Sequence, residues 1–548
     1  MAHPLRQLLA DTIANGLRRK TVTSCSKWAN SYRMMGQPFP GHYSFKYHPW
    51  TKAMHDCQAE MLIGQKAAQM GFTEVGLNKT FYNIDILGNS VLYVLPASTP
   101  DAADFSTSRF DPALELSVHL KNLFSNVKNI GHKRAGSANL FIRGSRSRNQ
   151  LKSIPVSLAI IDEVDEMVQN NISLIFERMS GQLSKQSFLL STPTIEHFGI
   201  NTYFQESSQD HWFFACPHCD RQIQLTFPEC LIVTAESWSD ASVYDSHIIC
   251  PECKHELSHA GKPDYLGRGK WVSSQQHCPI RGFHINQLYS STVKPHELAI
   301  SYLKGQTNAS DEQEFYNSKL GLPHEPDGAR INDSDIYECM SSYRMFDYLT
   351  NPALVTMGID VGKVIHYEVS SYQFTPGTTN DVSLLSQCKV LRVGKVREFE
   401  ELDDIMKKFG VNFCVIDANP ERRKALEFAK RFYGYVRLCF YGRGVNGKEI
   451  TLHKAEQHTL TVDRTSWLDL SMGRVKGQRI KFPLDIPTEY KNHLKALVRI
   501  TEKDKDGNPT GRYVKTGEDH YAHARNYNEI ALQLAASFAQ SQNIGSVF

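Results

Sequence analysis

The sequence predicts two α/β domains, the first interrupted by a cysteine-bearing insertion, and three observations predict them. The apolar runs "SVLYVLP" (90–96), "VSLAIIDE" (156–163) and "SFLLSTP" (187–193) do not alternate, so they read as strands buried on both faces, as in parallel sheets. Helical stretches separate these runs, which is the alternation of an α/β sheet. A second pattern of the same kind starts at "LVTMGIDVG" (354–362) and continues through "VNFCVIDANP" (411–420), beyond a polar, proline- and glycine-bearing stretch near 321–350.

At 548 residues the chain has room for two or three domains, and 41% hydrophobic with 22% charged residues describes an ordinary globular protein. No apolar run is long enough to span a bilayer, and no secretory pattern opens the sequence. A net charge of +3 neither demands nor excludes nucleic acid, so local clusters must decide. Residues 1–45 are mixed and polar, with a helix expected near 4–19.

The stretch "MLIGQKAAQMGFTEVG" (61–76) resembles a phosphate-binding loop without its usual Gly-Lys-Ser/Thr ending. Gly71-Phe72-Thr73 stands in that place, and the nearby lysine is Lys66, upstream. Backbone N–H groups from Gln69 to Thr73 still reach a helix start, which is the physical basis of phosphate binding. Thr73 offers a hydroxyl for magnesium, and Lys66 reaches the β/γ-phosphates from the other side. "SLAIIDEVDEM" puts Asp162 at the carboxyl end of a buried strand, suited to magnesium, with Glu163 placed to polarise the attacking water. Ser191 and Thr192 end the next buried strand and suit γ-phosphate sensing. "IRGSRSRNQLK" (142–152) concentrates Arg143, Arg146, Arg148 and Lys152, which supply either an arginine finger or a contact to DNA phosphates.

Residues 212–275 change character. Of twelve cysteines, Cys216, Cys219, Cys250 and Cys253 form two Cys-Pro-x-Cys knuckles, while the rest are scattered. Four thiolates on separate turns are the closed set of a structural tetrahedral zinc, and His218 and His255 are read as bystanders. This cysteine usage fits a reducing compartment better than a disulfide scaffold. "RGFHINQLYS" (281–290) then returns to the earlier style.

"QKAAQMGFTE", "LPASTPDAADFSTSRFDP" (95–112), "SLAIIDEVDE" and "LLSTPT" together resemble the large terminase subunit of tailed bacteriophages, in its lambda-type branch. The resemblance spans about 45 to 535. It implies an ATP-driven motor that translocates double-stranded DNA into a procapsid, followed by a nuclease that cuts concatemers. It further implies a small terminase subunit, a portal protein, a homo-oligomeric ring and the host cytoplasm. In that picture "KYHPWTKAMHD" (46–56) resembles the adenine-contacting segment, through Tyr47, Pro49 and Trp50.

In the second α/β segment Asp360 lies in a strand and Asp417 ends one. Acids held on a sheet, with one more on a late helix, are the two-metal site of an RNase H-like nuclease. The late helix, roughly 520–540, follows a hairpin turning near Asp506-Gly507. "GEDHYAHARNYNEIAL" (517–532) resembles the terminase pattern Asp-His-x-x-Asp-Ala-x-x-Tyr, with His523 where the second aspartate belongs. The third ligand is therefore expected at Asp519, with His523 as a further ligand, and histidine favours manganese-like ions over magnesium. Glu368 is a weaker candidate. The run 421–424 with Lys430 and Arg431 either lines a DNA groove or forms a solvated helix face.

The expected organisation is an N-terminal segment for small-subunit contact (1–45), a phosphate-loop ATPase (46–211), a zinc ribbon (212–275), the rest of the ATPase (276–330), a linker (331–350) and an RNase H-like nuclease (351–548). Its cofactors are ATP, Mg2+ for the ATPase, Mg2+ or Mn2+ for the nuclease and structural Zn2+. The alternative is a helicase-like or repair DNA translocase with a non-catalytic C-terminal binding domain. A purely structural zinc protein would leave Asp162-Glu163 and Ser191-Thr192 unexplained.

Overall fold

The computed structural model describes residues 22–124, 127–152, 154–345, 354–373, 382–442, 447–453, 456, 458–503 and 509–544. The chain divides into two compact units, Met1–Pro326 and Asp327–Phe548. The helix expected near 4–19 and the turn at Asp506-Gly507 lie outside the described residues.

The first unit is built on one large sheet. Its strands are β1 (Met61–Lys66), β2 (Val91–Leu95), β3 (Ala138–Gly144), β4 (Leu158–Asp162), β5 (Gln186–Ser191), β6 (Asp210–Ala215), β7 (Lys270–Ser273) and β8 (Arg281–Ile285). They lie in the order β6-β8-β1-β5-β4-β2-β3, each parallel to its neighbour. β2 and β4 are buried at every position, as their unbroken apolar runs require. The order matters for chemistry: β5 is inserted between β1 and β4. The ribbon insertion begins and ends inside this sheet, because β7 pairs antiparallel with β6. The segment before it also belongs to this unit, since Trp28 is fully buried and its indole N–H donates to Asp85 at 2.9 Å.

The second unit has β9 (Leu354–Asp360), β10 (Ile365–Gln373), β11 (Gln387–Val396), β12 (Phe413–Asp417), β13 (Val436–Tyr441) and β14 (Thr459–Val462). Their order is β14-β13-β12-β9-β10-β11, with β9–β10–β11 antiparallel and β12, β13 and β14 parallel to β9. This is the RNase H-like arrangement. A long helix, His520–Ile544, packs on β9, β10 and β12. Gly358 permits it, since a Cβ there would collide with the Ala524 carbonyl and the Asn528 amide. The expected linker 331–350 departs from this picture. As far as Met345 it joins the second unit, with Ile331, Ile336 and Cys339 buried in its core and Asn332 capping the helix Asp333–Glu338. Polar residues outnumber those anchors, so composition alone reads the stretch as a tether. Residues 346–350 lie outside the described residues.

Candidate active sites

Parallel pairing sets the first site. Lys66, Asp162 and Ser191 end three adjacent parallel strands, so they share one edge of the sheet. The buried Lys66 ammonium lies 3.4 Å from Thr192 Oγ1 and 3.6 Å from Glu163 Oε1. Three groups from three chain segments thus converge on one point. Phe72, standing where the usual motif has lysine, serves packing: a Cβ on Gly64 would come within 2.6 Å of its ring. Gln69 and Gly71 have φ of 61° and 84°, which turns the loop into the helix Phe72–Tyr82. Trp50 is fully buried, and its indole N–H donates to the Met70 carbonyl at 3.0 Å. It therefore props the loop rather than facing a base. Tyr47 instead stacks on Phe39, with centroids 4.3 Å apart.

Asp162 is 2% exposed and accepts from the Tyr93 hydroxyl at 2.7 Å through Oδ2. Burial, and then the Glu163 charge, push its carboxyl up to about 7, against the pull of Lys66 and of hydrogen bonds from Tyr93 and Thr73. Its other oxygen, Oδ1, is buried without a hydrogen-bond partner. A buried carboxylate oxygen left open at this strand end fits a magnesium position. Glu163 itself sits at φ 63°, a conformation that favours glycine and is concentrated at functional sites. Ser191 is fully buried, accepting from the Asp165 N–H at 3.2 Å and donating to the Thr192 carbonyl at 3.0 Å. Thr192 is the member of that pair beside Lys66. Arg143 is held on its own hairpin, donating to the carbonyls of Gly131 and Ile142, while Arg146 is exposed.

The four knuckle cysteines bring one sulfur each within 4.8 Å of one another. The knuckles match: Asp220 and Lys254, each following a second cysteine, have φ of 58° and 62°. Backbone N–H groups of His218 and Cys253 donate to the sulfurs of Cys216 and Cys250 at 3.4 and 3.5 Å. Four converging thiols, two already holding amide donors, fit a zinc ion. His218 and His255 stack on each other outside that set, with centroids 5.2 Å apart.

In the second unit Ile359 pairs with Ile416, which puts Asp360 and Asp417 side by side at the ends of parallel strands. Burial raises the Asp417 carboxyl to about 6, and the neighbouring Asp360 charge adds to this against an amide bond from Asn419. Two carboxylates side by side at strand ends fit divalent cations. Asp519 and His523 face each other one helical turn apart at 3.3 Å. Burial works against the Asp519 carboxylate, but the His523 hydrogen bond with the charges of His523, Lys515 and Arg464 holds it well below the usual range. His523 also meets the Tyr441 hydroxyl at 3.1 Å. The donors gathered around Asp360 are His366 and His520, with Asp519 and His523 outside that group. Glu368 is fully buried and held by Arg525, Tyr490, Ser370 and Asn528, so it does not face the site. Arg422, Arg423 and Arg431 pair with Glu456, Glu427 and Asp403, a solvated helix face.

A phosphate-loop unit followed by an RNase H-like unit with paired strand-end carboxylates defines the class of ATPase–nuclease fusions. Two family models match, the ATPase domain of the phage terminase large subunit gpA at residues 38–271 and its endonuclease domain at 280–537. The chain belongs to the phage terminase large subunit family. It is an ATPase and endonuclease of the DNA-packaging motor that also cuts concatemeric DNA, which sets aside a non-catalytic C-terminal module.

Among solved structures the chain is similar to a large terminase from a thermophilic bacteriophage, at 9% identity over 87% of this chain and 94% of that one (TM-score 0.30). It is also similar to the ATPase domain of the Thermus phage P74-26 large terminase, at 13% identity over 49% and 91% (TM-score 0.30). A third is the large terminase nuclease of thermophilic phage G20c with bound magnesium, at 11% identity over 36% and 95% (TM-score 0.23). No curated protein matches the chain.

Proposed function

We propose that Lys66, Glu163 and Thr192 form the γ-phosphate end of the packaging ATPase, and that Asp360 and Asp417 anchor the nuclease centre. The observation that carries the first assignment is the position of the Lys66 ammonium between Thr192 and Glu163. Backbone N–H groups of Gln69–Thr73 cradle the phosphates at the helix start. Lys66 neutralises charge on the β/γ-phosphates, taking over from the lysine that Phe72 replaces. Glu163 orients and deprotonates the attacking water, and Thr192 reports whether a γ-phosphate is present. Tyr93 fixes the rotamer of Asp162, leaving Oδ1 for the cation. Arg143 or Arg146 supplies transition-state charge or a DNA phosphate contact.

Mg2+ at Thr73 and Asp162, and paired Mg2+ or Mn2+ ions at Asp360 and Asp417, would neutralise phosphate charge and lower the pKa of bound water. Asp519, kept ionised, and His523 complete the nuclease wall. Cys216, Cys219, Cys250 and Cys253 hold a structural Zn2+ that staples the insertion to the ATPase sheet. The working particle is a homo-oligomeric ring on a portal protein in the host cytoplasm, recruited through a small terminase subunit. Trp28 and Ala29 commit part of the 1–45 segment to the ATPase core. No helix among the described residues is long and apolar enough to cross a membrane. Glu163→Ala is expected to abolish DNA-stimulated ATP hydrolysis, a loss of about 100-fold or more. Hydrolysis at the wild-type rate would overturn the assignment.

A further inference from the structure

The antiparallel pairing of β9 and β10 sets His366 directly across from Asp360. Cross-strand partners project from the same face of a sheet. His520, the first residue of the long C-terminal helix, reaches the same carboxylate from another element, with Nδ1 2.8 Å from Asp360 Oδ2. The two imidazoles stack almost parallel, centroids 4.7 Å apart at 8°. One donor atom from each of Asp360, His366 and His520 lies within 4.8 Å of the others.

Packing alone accounts for a stacked histidine pair, but it leaves one observation unexplained. His366 is 5% exposed, and its Nδ1 is buried with no hydrogen-bond partner. Buried polar atoms are nearly always satisfied, so a nitrogen left open on the residue paired across from Asp360 points to a ligand that is not protein. The other nitrogen of His520 lies 2.9 Å from Glu518 Oε2. An outer carboxylate on the far nitrogen is the arrangement that orients metal-binding histidines. The nearby His493 is committed elsewhere, its Nδ1 accepting from the Tyr521 N–H at 3.3 Å and its Nε2 facing Glu489 at 4.0 Å.

We propose that Asp360, His366 and His520 form a cation site that takes a first-row transition ion, Mn2+ included, in preference to Mg2+. The proposal rests on the assignment of Asp360 and Asp417 to the nuclease centre. Imidazole nitrogens bind first-row transition ions more tightly than Mg2+, which prefers oxygen; Zn2+ and Co2+ rank above Mn2+, and Mn2+ is the ion whose nitrogen coupling can be read. Asp360 then serves two unlike positions, an all-oxygen one toward Asp417 and a nitrogen-bearing one toward the histidines.

The test uses the full chain carrying one zinc and no nucleotide, with Asp162→Asn to remove the ATPase cation position. Mn2+ binding is titrated by electron paramagnetic resonance, and nitrogen coupling is read by electron spin echo modulation. The expected result is imidazole nitrogen coupling on bound Mn2+, with His366→Gln and His520→Gln each weakening one site at least about tenfold and reducing the coupling. Coupling absent from the parent protein would overturn the proposal. So would coupling that survives both substitutions and disappears in His523→Gln. If His366→Gln does not fold, judged by thermal unfolding without added metal, the parent spectrum and His520→Gln decide. Plasmid cleavage by Asp417→Asn separates the two levels: wild-type cleavage sinks the nuclease centre itself, whereas lost cleavage with unaltered Mn2+ binding in the histidine variants sinks only this inference.

Discussion

The proposed ATPase site and the proposed nuclease site both lie at strand ends, but different pairings assemble them. In the first unit every strand of the site runs parallel, so loops that follow β1, β4 and β5 meet at one edge. Its charges arrive already engaged, Lys66 with Glu163 and Thr192. In the second unit one parallel pairing aligns Asp360 with Asp417, and one antiparallel pairing adds His366. A helix from the far end of the chain supplies the rest. The difference teaches that a parallel site can be read as a string of short motifs in order, whereas a mixed-sheet site depends on register between distant residues.

The contrast can be broken experimentally, starting with its strongest consequence. Asp360→Asn removes the carboxylate that stands between Asp417 and the two histidines and should reduce metal-dependent plasmid cleavage by about 1,000-fold, several kcal/mol of catalysis. ATP hydrolysis by the same variant then measures how far the two sites depend on each other. Gly358→Ala tests whether the C-terminal helix closes the nuclease site. The added methyl meets the backbone at Ala524 and Asn528, and should cost about 1–3 kcal/mol in denaturant unfolding of the second unit. An unchanged midpoint would mean that the helix does not pack on β9 at this point. Tyr93→Phe is the subtlest change. It removes a hydrogen bond to a buried carboxylate and should slow ATP turnover about tenfold, with Mg-ATP affinity falling in parallel. A variant with normal turnover would show that Asp162 needs no second strand to hold it.

Much of the proposed first site was legible because each of its parts forms a local string. Gly71, Asp162-Glu163 and Ser191-Thr192 lie in short strings whose spacing follows from strand and helix lengths. Tyr93 was not legible, since its role depends on β2 lying beside β4, and sheet order is not written in any local pattern. The choice between Ser191 and Thr192 likewise depended on which hydroxyl the loop turns inward. In the nuclease, Asp360 and Asp417 stood out as acids ending apolar runs. His366 did not, although a tight hairpin after "GIDVG" would have placed residue 366 opposite 360. Glu368 looked available because its partner Arg525 comes from a helix more than 150 residues away in sequence. The segment 331–345 was misread for a related reason: three buried side chains hold it, and its remaining residues look like a tether.

The central claim is that Lys66 does the work of the lysine that Phe72 displaces. Calorimetric titration of Lys66→Ala with Mg-ATP tests it most directly. Loss of a buried charged donor should weaken binding by about 1.5–3 kcal/mol, roughly 10- to 150-fold, with turnover falling below detection. Wild-type affinity and turnover would contradict the account and return the phosphate charge to a residue elsewhere in the chain.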